Sequence, residues 1–228
     1  MLFLLRLKGP FQSWAKDKRA TNGANVDTYE CPTFSGMLGM ICACFGVKHT
    51  DEKYDLLKNK IGHLYTFSTN HYNILEDFQS SGGGYDTSNE VYRKNGKRKY
   101  DGSLGTGFEC AGKTVASICK KQYIVDGDFF VILNVDEDLS KELEYYLKNP
   151  VWQPTLGKSN CIPSKKIFVG CGECEDYYIN YCKTVLNVER GVVYSSKRPQ
   201  VKHTSIQIFD IPISHLKNTS RIIFKSIY

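Results

Sequence analysis

The sequence predicts an α+β chain: a core in the order βαββαβ, a long insertion in its middle and a β-rich end. Three observations predict it. Helical apolar spacing is confined to two stretches, about residues 31–61 and 136–150. Short β-branched or aromatic runs flank both. A glycine-rich, basic segment with few apolar residues, Gln79 to Lys113, separates the halves. The βαββαβ order is that of a ferredoxin-like or RRM-like fold. The 228 residues, 41% hydrophobic and 24% charged, suffice for one large core with an extension. A division is expected between a core of residues 1–150 and a β-rich C-terminal part, 151–228.

The first strand is "LFLLRLKG", which leads into a Gly-Pro turn. "CPTFSGMLGMICACFGV" follows as a buried helix, with Ser35 as the expected N-cap and Gly46 as the stop. Leu38, Ile41 and Phe45 belong to its core face. "EKYDLLKNKI" adds Tyr54, Leu57 and Ile61 at helical spacing, and "GHLYTFST" reads as the second strand. Beyond the insertion, "KKQYIVDGDFFVILNV" is strand material broken at the Asp126-Gly127 turn signal. "DEDLSKELEYYLKNP" is a helix with Leu139, Leu143 and Leu147 on one stripe and Pro150 past its end. "KKIFVG", "RGVVYSS", "TSIQIFDIPI" and "RIIFKSI" are the remaining strand candidates.

Within the insertion, "YRKNGKRKY" gathers five basic residues around Asn95-Gly96. Asn-Gly between equal runs predicts a type I′ hairpin. That turn sets Lys94 opposite Lys97, Arg93 opposite Arg98 and Tyr92 opposite Lys99. Like charges directly opposite destabilise a hairpin, and a bare two-stranded one is marginal in water. The finger is therefore expected to gain order when an anion arrives, hinging on "SSGGGYD" and "DGSLGTG" at its feet. Tyr85, Tyr92 and Tyr100 beside the cations fit single-stranded nucleic acid. A solvated charged loop is the plainer alternative, and an acidic protein surface is another. A membrane surface fits less well, since the finger has no apolar face.

The net charge is +6, unevenly spread. Residues 121–182 hold six Lys/Arg against ten Asp/Glu, whereas the chain from Lys183 onward holds eight against two. A polyanion on one face and a different partner on another would account for that asymmetry. Arg6 and Lys8 interrupt the apolar start, and no run approaches the roughly 18 apolar residues of a membrane span. A cytoplasmic protein without membrane contact is expected. Nine cysteines without a secretory signal point to free thiols. Cys42 and Cys44 fall inside an apolar helix and read as buried. Cys171 and Cys174 have metal-ligand spacing but lack a second pair, so no metal and no cofactor are expected.

Three ordered blocks resemble the CasD family, the Cas-five-type subunits of type I-E CRISPR Cascade complexes. They are "LLRLKGPFQSWAKDKRAT" with "CPTFSGMLGMICACFGV", then "KKQYIVDGDFFVIL", then "NPVWQPTLGKSNCIPSKKIFVG". Ala15, Phe34 and Lys158 stand where the family commonly has glycine, a basic residue and arginine. The resemblance implies an RRM-like core with a long β-hairpin thumb, here residues 79–113. It implies a subunit that caps the 5′ handle of the guide RNA. The thumb would separate handle from guide and touch the adjacent backbone subunit. The large subunit and, through the complex, target DNA are the other implied partners. The partner expected to neutralise the basic finger is then guide-RNA phosphate.

Candidate RNA contacts follow. Ser35 and Gly36 open the first helix, whose unpaired N–H groups suit a phosphate or a plain cap. Gln12 and Trp14 follow the Gly-Pro turn, with Trp14 either stacked on a base or part of the core. Lys158 and Ser159 form a small charged turn, suited to a phosphate or simply a surface loop. Lys113 and Thr114 stand at the return foot of the insertion. Tyr92, Arg93, Lys94, Lys97, Arg98 and Lys99 complete the set. No catalytic residue is expected. The alternative is a metal-independent endoribonuclease that cleaves CRISPR repeat RNA, as related Cas-five-type subunits of another subtype do. Such cleavage needs a base, usually His or Lys, to activate the 2′-hydroxyl, and a cation near the scissile phosphate. Lys48-His49 and Lys202-His203 are the adjacent basic pairs, and neither lies near "KKQYIVDG"; His63 and His71 flank a strand.

Overall fold

The computed structural model describes residues 1–14, 16, 25–68, 72–81, 108–110, 113–115, 117–186, 192–195, 203–210 and 219–227. The first half contains β1 (Leu2–Lys8), β2 (Phe11–Gln12), β3 (Asn25–Val26), α1 (Phe34–Phe45), α2 (Glu52–Lys60), β4 (Ile61–Ser68) and β5 (Asn73–Ser81). Then come β6 (Phe108–Cys110), β7 (Lys113–Val115), β8 (Ser117–Val125), β9 (Asp128–Val135) and α3 (Glu137–Lys148). The last part holds β10 (Phe168–Gly172), α4 (Glu175–Leu186), β11 (Val192–Ser195), β12 (His203–Asp210) and β13 (Thr219–Ile227).

Seven strands form one sheet in the order β10-β1-β9-β4-β11-β13-β12, every neighbour antiparallel. The central strands β1 and β9 are apolar almost without alternation because both faces of the sheet are covered. On one face Phe3, Leu5 and Leu7 join Phe129, Val131 and Leu133 beneath α1, α2 and α3. On the other, Leu2, Leu4, Phe130 and Ile132 meet Tyr178 and Cys182 of α4. Burial of each such large side chain contributes about 1.5–3 kcal/mol. The strands after residue 150 enter this same sheet on both sides of β1, β9 and β4.

Two local expectations are corrected. The N-cap of α1 is Thr33, not Ser35. Thr33 has extended backbone (φ −87°, ψ 149°), and its Oγ1 accepts the Gly36 N–H at 3.2 Å, while Ser35 already lies in the first turn. The helix α4 was not anticipated, because the Tyr, Asn, Cys and Thr it carries have weak helix preference. Its place is secured by packing instead. The stop at Gly46 is as expected, with φ 68° and its N–H turned back to Cys42 and Ala43 carbonyls.

A second sheet has the order β2-β8-β3, with β5 also paired to β8. The β5/β8 ladder runs antiparallel from Asn73↔Val125 to Ser81↔Ser117 and forms the stem from which the insertion leaves. Lys113 and Thr114 lie in β7, which pairs with β6. Tyr92, Arg93, Lys94, Lys97, Arg98 and Lys99 lie outside the described residues. At the other end of β8, Asp126 (φ 57°) and Gly127 make the turn into β9. No helix among the described residues is long and apolar enough to cross a membrane.

Candidate nucleic-acid interface

Three segments far apart in sequence meet around Trp14. The first is the turn after β1. There Gln12, fully buried, donates from Nε2 to the Leu7 and Gly127 carbonyls at 3.0 and 2.7 Å. Its Oε1 accepts the Trp14 indole N–H at 3.1 Å. The second is the start of α1, where a Cβ on Gly36 would lie 2.7 Å from Trp14 Cε3. The third is the 156–161 loop, closed by the Leu156 N–H to Cys161 carbonyl bond at 2.7 Å. Its Gly157 has φ +92°, and a Cβ there would meet the Ser13 carbonyl oxygen at 1.9 Å and Trp14 Cε3 at 3.4 Å. Two glycines from different segments therefore close on one edge of the same indole.

That geometry divides the sequence candidates. Gln12 and Trp14 are corrected: Trp14 is only 1% exposed and its N–H is used by Gln12, so neither presents a face to a base. They are the pivot on which the segments pack. Gly36 and Gly157 permit the close approach. Ser35 is half-buried, with its hydroxyl 3.5 Å from that of Thr33. Lys158 is half-buried as a residue, but its ammonium is buried 4.5 Å from the Tyr123 ring centroid, and Ser159 beside it is exposed. The structure thus brings together the segments that carry Ser35, Lys158 and Ser159, through Gly36 and Gly157 at the Trp14 indole.

Further polar and aromatic groups belong to this surface. Asn160 donates to the Tyr123 hydroxyl at 3.5 Å, and Phe11, 40% exposed, meets the Tyr123 ring edge-on at 6.0 Å. Exposed Lys16 holds its ammonium 5.6 Å from the Tyr29 ring. Phe11 is the exposed ring of this surface, backed by buried Tyr123, and an exposed ring beside cations and amides is suited to sugar–phosphate and base contacts. Tyr123 was legible inside the "KKQYIVDG" block, whereas Phe11 and Lys16 carry no sequence signal beyond their proximity to the Gln-Ser-Trp run.

Several chemistry-bearing side chains elsewhere among the described residues are engaged structurally. His63 is buried in β4 with Nε2 2.8 Å from Thr66 Oγ1. Burial pushes the Cys42 thiol up to about 11 and the Cys44 thiol up to about 12, which leaves both protonated and unreactive. Cys171 is half-buried with Sγ 3.7 Å from Glu144 Oε2, and Cys174 is exposed. Among the described residues no group of three or more His, Cys, Asp or Glu converges as metal ligands would. On the α4 side of the sheet, Asp128 takes a two-pronged contact from Arg6 (3.0 and 2.7 Å) and a third from Lys8 at 3.0 Å.

The family model described as CRISPR-associated protein (Cas_Cas5) matches residues 2–217. The chain belongs to this Cas5 family. It is similar to the CRISPR system Cascade subunit CasD of Escherichia coli (strain K12), 27% identical over 218 residues that cover 92% of this chain and 88% of that protein. The fold of this Cas5 chain is similar to a chain solved in a CRISPR RNA-guided surveillance complex. The TM-score is 0.67 at 20% identity, covering 100% of this chain and 89% of that one. A solved Cas protein is also similar, with TM-score 0.59 at 16% identity, covering 100% and 94%. The resemblance carried by the three sequence blocks is thereby shown, and those blocks are largely the ones that pack around Trp14.

Proposed function

We propose that this Cas5 chain is a non-catalytic, RNA-binding subunit of a type I-E CRISPR Cascade surveillance complex in the cytoplasm. It caps the 5′ handle of the guide RNA, and its thumb touches the adjacent backbone subunit, in support of RNA-guided DNA targeting against viruses. The large subunit is a further partner. The observation that carries this reading is the convergence on Trp14. It brings the segments of Ser35, Lys158 and Ser159 to one end of the β5/β8 ladder, whose other end is the Ser81↔Ser117 pair. The name of the Escherichia coli relative supports the Cascade assignment.

The strand order β10-β1-β9-β4, with α1 and α2 between β1 and β4 and α3 between β9 and β10, supports a ferredoxin-like, RRM-like core. The β5/β8 ladder supports a thumb on that core. At this surface the Ser35 and Ser159 hydroxyls supply hydrogen bonds to a phosphate, the Lys158 ammonium, buried over the Tyr123 ring, adds charge from behind them, and the buried Gln12–Trp14 pair fixes the packing of the segments.

The test incubates the purified chain with CRISPR repeat RNA in EDTA and reads a native and a denaturing gel side by side. Binding without cleavage, strongest for RNA that carries the 5′ handle, is expected. Cleavage at a single site would replace this reading with the endoribonuclease one, and binding without handle preference would remove the capping role.

A further inference from the structure

Away from the Trp14 cluster, the C-terminal end of α3 and the segment entering β10 enclose a groove of about 360 Å³. Buried Leu147 and Ile167 form its base, Pro150 and Pro163 stand on its sides, and exposed Lys165 and Lys166 border it. Its walls are held from behind. The Val151 and Trp152 N–H groups donate to the Cys44 and Ala43 carbonyls at 2.9 and 3.0 Å, closing the end of α1. Opposite them, Ser164 N–H donates to the Lys8 carbonyl and Arg6 N–H to the Ile167 carbonyl, both at 2.8 Å. The groove is therefore preformed, and an occupant would not have to order it.

Its surroundings indicate the kind of occupant. Val151 (56% exposed), Trp152 (44%) and Ile162 (53%) remain in solvent although their segments are anchored. These residues are chain neighbours of the lining Pro150, Gln153 and Pro163, and apolar exposure beside a groove, with a tryptophan in it, marks protein contact surfaces. Lys165 and Lys166 have no ion-pair partner among the described residues, whereas Lys148 at the same groove is paired with Glu144 at 2.6 Å. The aromatic ring of the groove, Phe168, already carries Lys148 at 5.0 Å and Phe3 at 6.0 Å. What remains for an occupant is aliphatic and proline surface under two unneutralised cations, which suits a peptide better than a stacked base.

We infer that this groove docks an extended segment of a partner protein in which aliphatic side chains alternate with carboxylates. An extended segment directs alternate residues to opposite faces. The aliphatic ones enter between Leu147 and Ile167 while the acidic ones reach Lys165 and Lys166. This inference is independent of the handle-capping reading.

The test is a titration of the isotope-labelled full chain with a short capped peptide alternating glutamate and leucine, read at the Trp152 indole N–H. The chain has two tryptophans, and the other is buried against Gln12. A saturable shift is expected, absent with the lysine–leucine counterpart and weakened about tenfold or more by Lys165→Glu with Lys166→Glu. Trp152→Ala, a surface change, should weaken the same peptide. Handle-RNA affinity should be equal in the charge-reversed and wild-type chains. No shift at millimolar peptide, a shift that survives charge reversal, or displacement of the peptide by short single-stranded RNA would each overturn the inference. Failure of the wild-type chain to bind handle RNA would instead refute the capping role and leave the indole shift in place.

Discussion

Gly157→Ala is the sharpest single perturbation of the proposed RNA surface. The residue adopts φ +92°, where an L side chain costs about 1–3 kcal/mol. Its Cβ would lie 1.9 Å from the Ser13 carbonyl oxygen. That neighbour is backbone, so no rotamer change relieves the clash and the 156–158 segment must retreat by an ångström or more. Retreat breaks the 3.1 Å bond from Ser13 N–H to the Leu156 carbonyl and strands a donor beside buried Trp14, at about 1–3 kcal/mol. Together these give about 2–6 kcal/mol, a large part of an ordinary domain stability of about 5–15 kcal/mol. Urea unfolding followed by tryptophan fluorescence reads it directly, since Trp14 abuts the mutated position. Handle-RNA binding under folding conditions should weaken with it, because Lys158 and Ser159 move with the loop. Ser159→Ala, an exposed control, should change stability by no more than about 0.5 kcal/mol. A loss below about 0.5 kcal/mol in Gly157→Ala would refute the argument that the three segments lock on Trp14.

Gln12→Ala removes both bonds donated by Nε2 and the acceptor of the Trp14 indole, so a loss of about 2–4 kcal/mol is expected in the same urea assay. Asp128 gives an acid-side signature. Burial alone would raise its carboxyl, but hydrogen bonds from Arg6 and Lys8 outweigh burial and hold it below the ordinary value of 3.8. A carboxyl depressed in the folded state contributes stability above its unfolded value and loses it as pH falls through the lower folded value. Asp128→Asn should therefore flatten the fall in unfolding midpoint seen below about pH 4. Replacing the five basic residues of 93–99 with alanine should flatten the log–log salt dependence of RNA binding by roughly 3 units, as for about four phosphates on a single strand. An unchanged slope would route the RNA elsewhere.

Much of the architecture could be read directly. The 3.6-residue spacing of Leu139, Leu143 and Leu147 fixed α3, and Asp126-Gly127 fixed the turn between β8 and β9, because both signals depend only on local geometry. The apolar runs of β1 and β9 were readable as strands, though not as strands covered on both faces. They could not say that α4 supplies the second layer, since its Tyr178 and Cys182 earn their helix by packing on Leu4 and Ile132 and not by propensity. At the candidate site the residue types were visible but their division of labour was not. Gln12 and Trp14 look like contacts in the sequence, yet burial and the Gln12–indole bond make them scaffold. Gly36 reads as a helix opener, yet it is required by the closeness of the Trp14 edge, and Gly157 is required by the Ser13 carbonyl next to that indole. Local signals determined most of the segments that become strands, helices and turns, α4 excepted. Only the tertiary structure decided which groups face solvent, because that depends on contacts between residues more than a hundred positions apart.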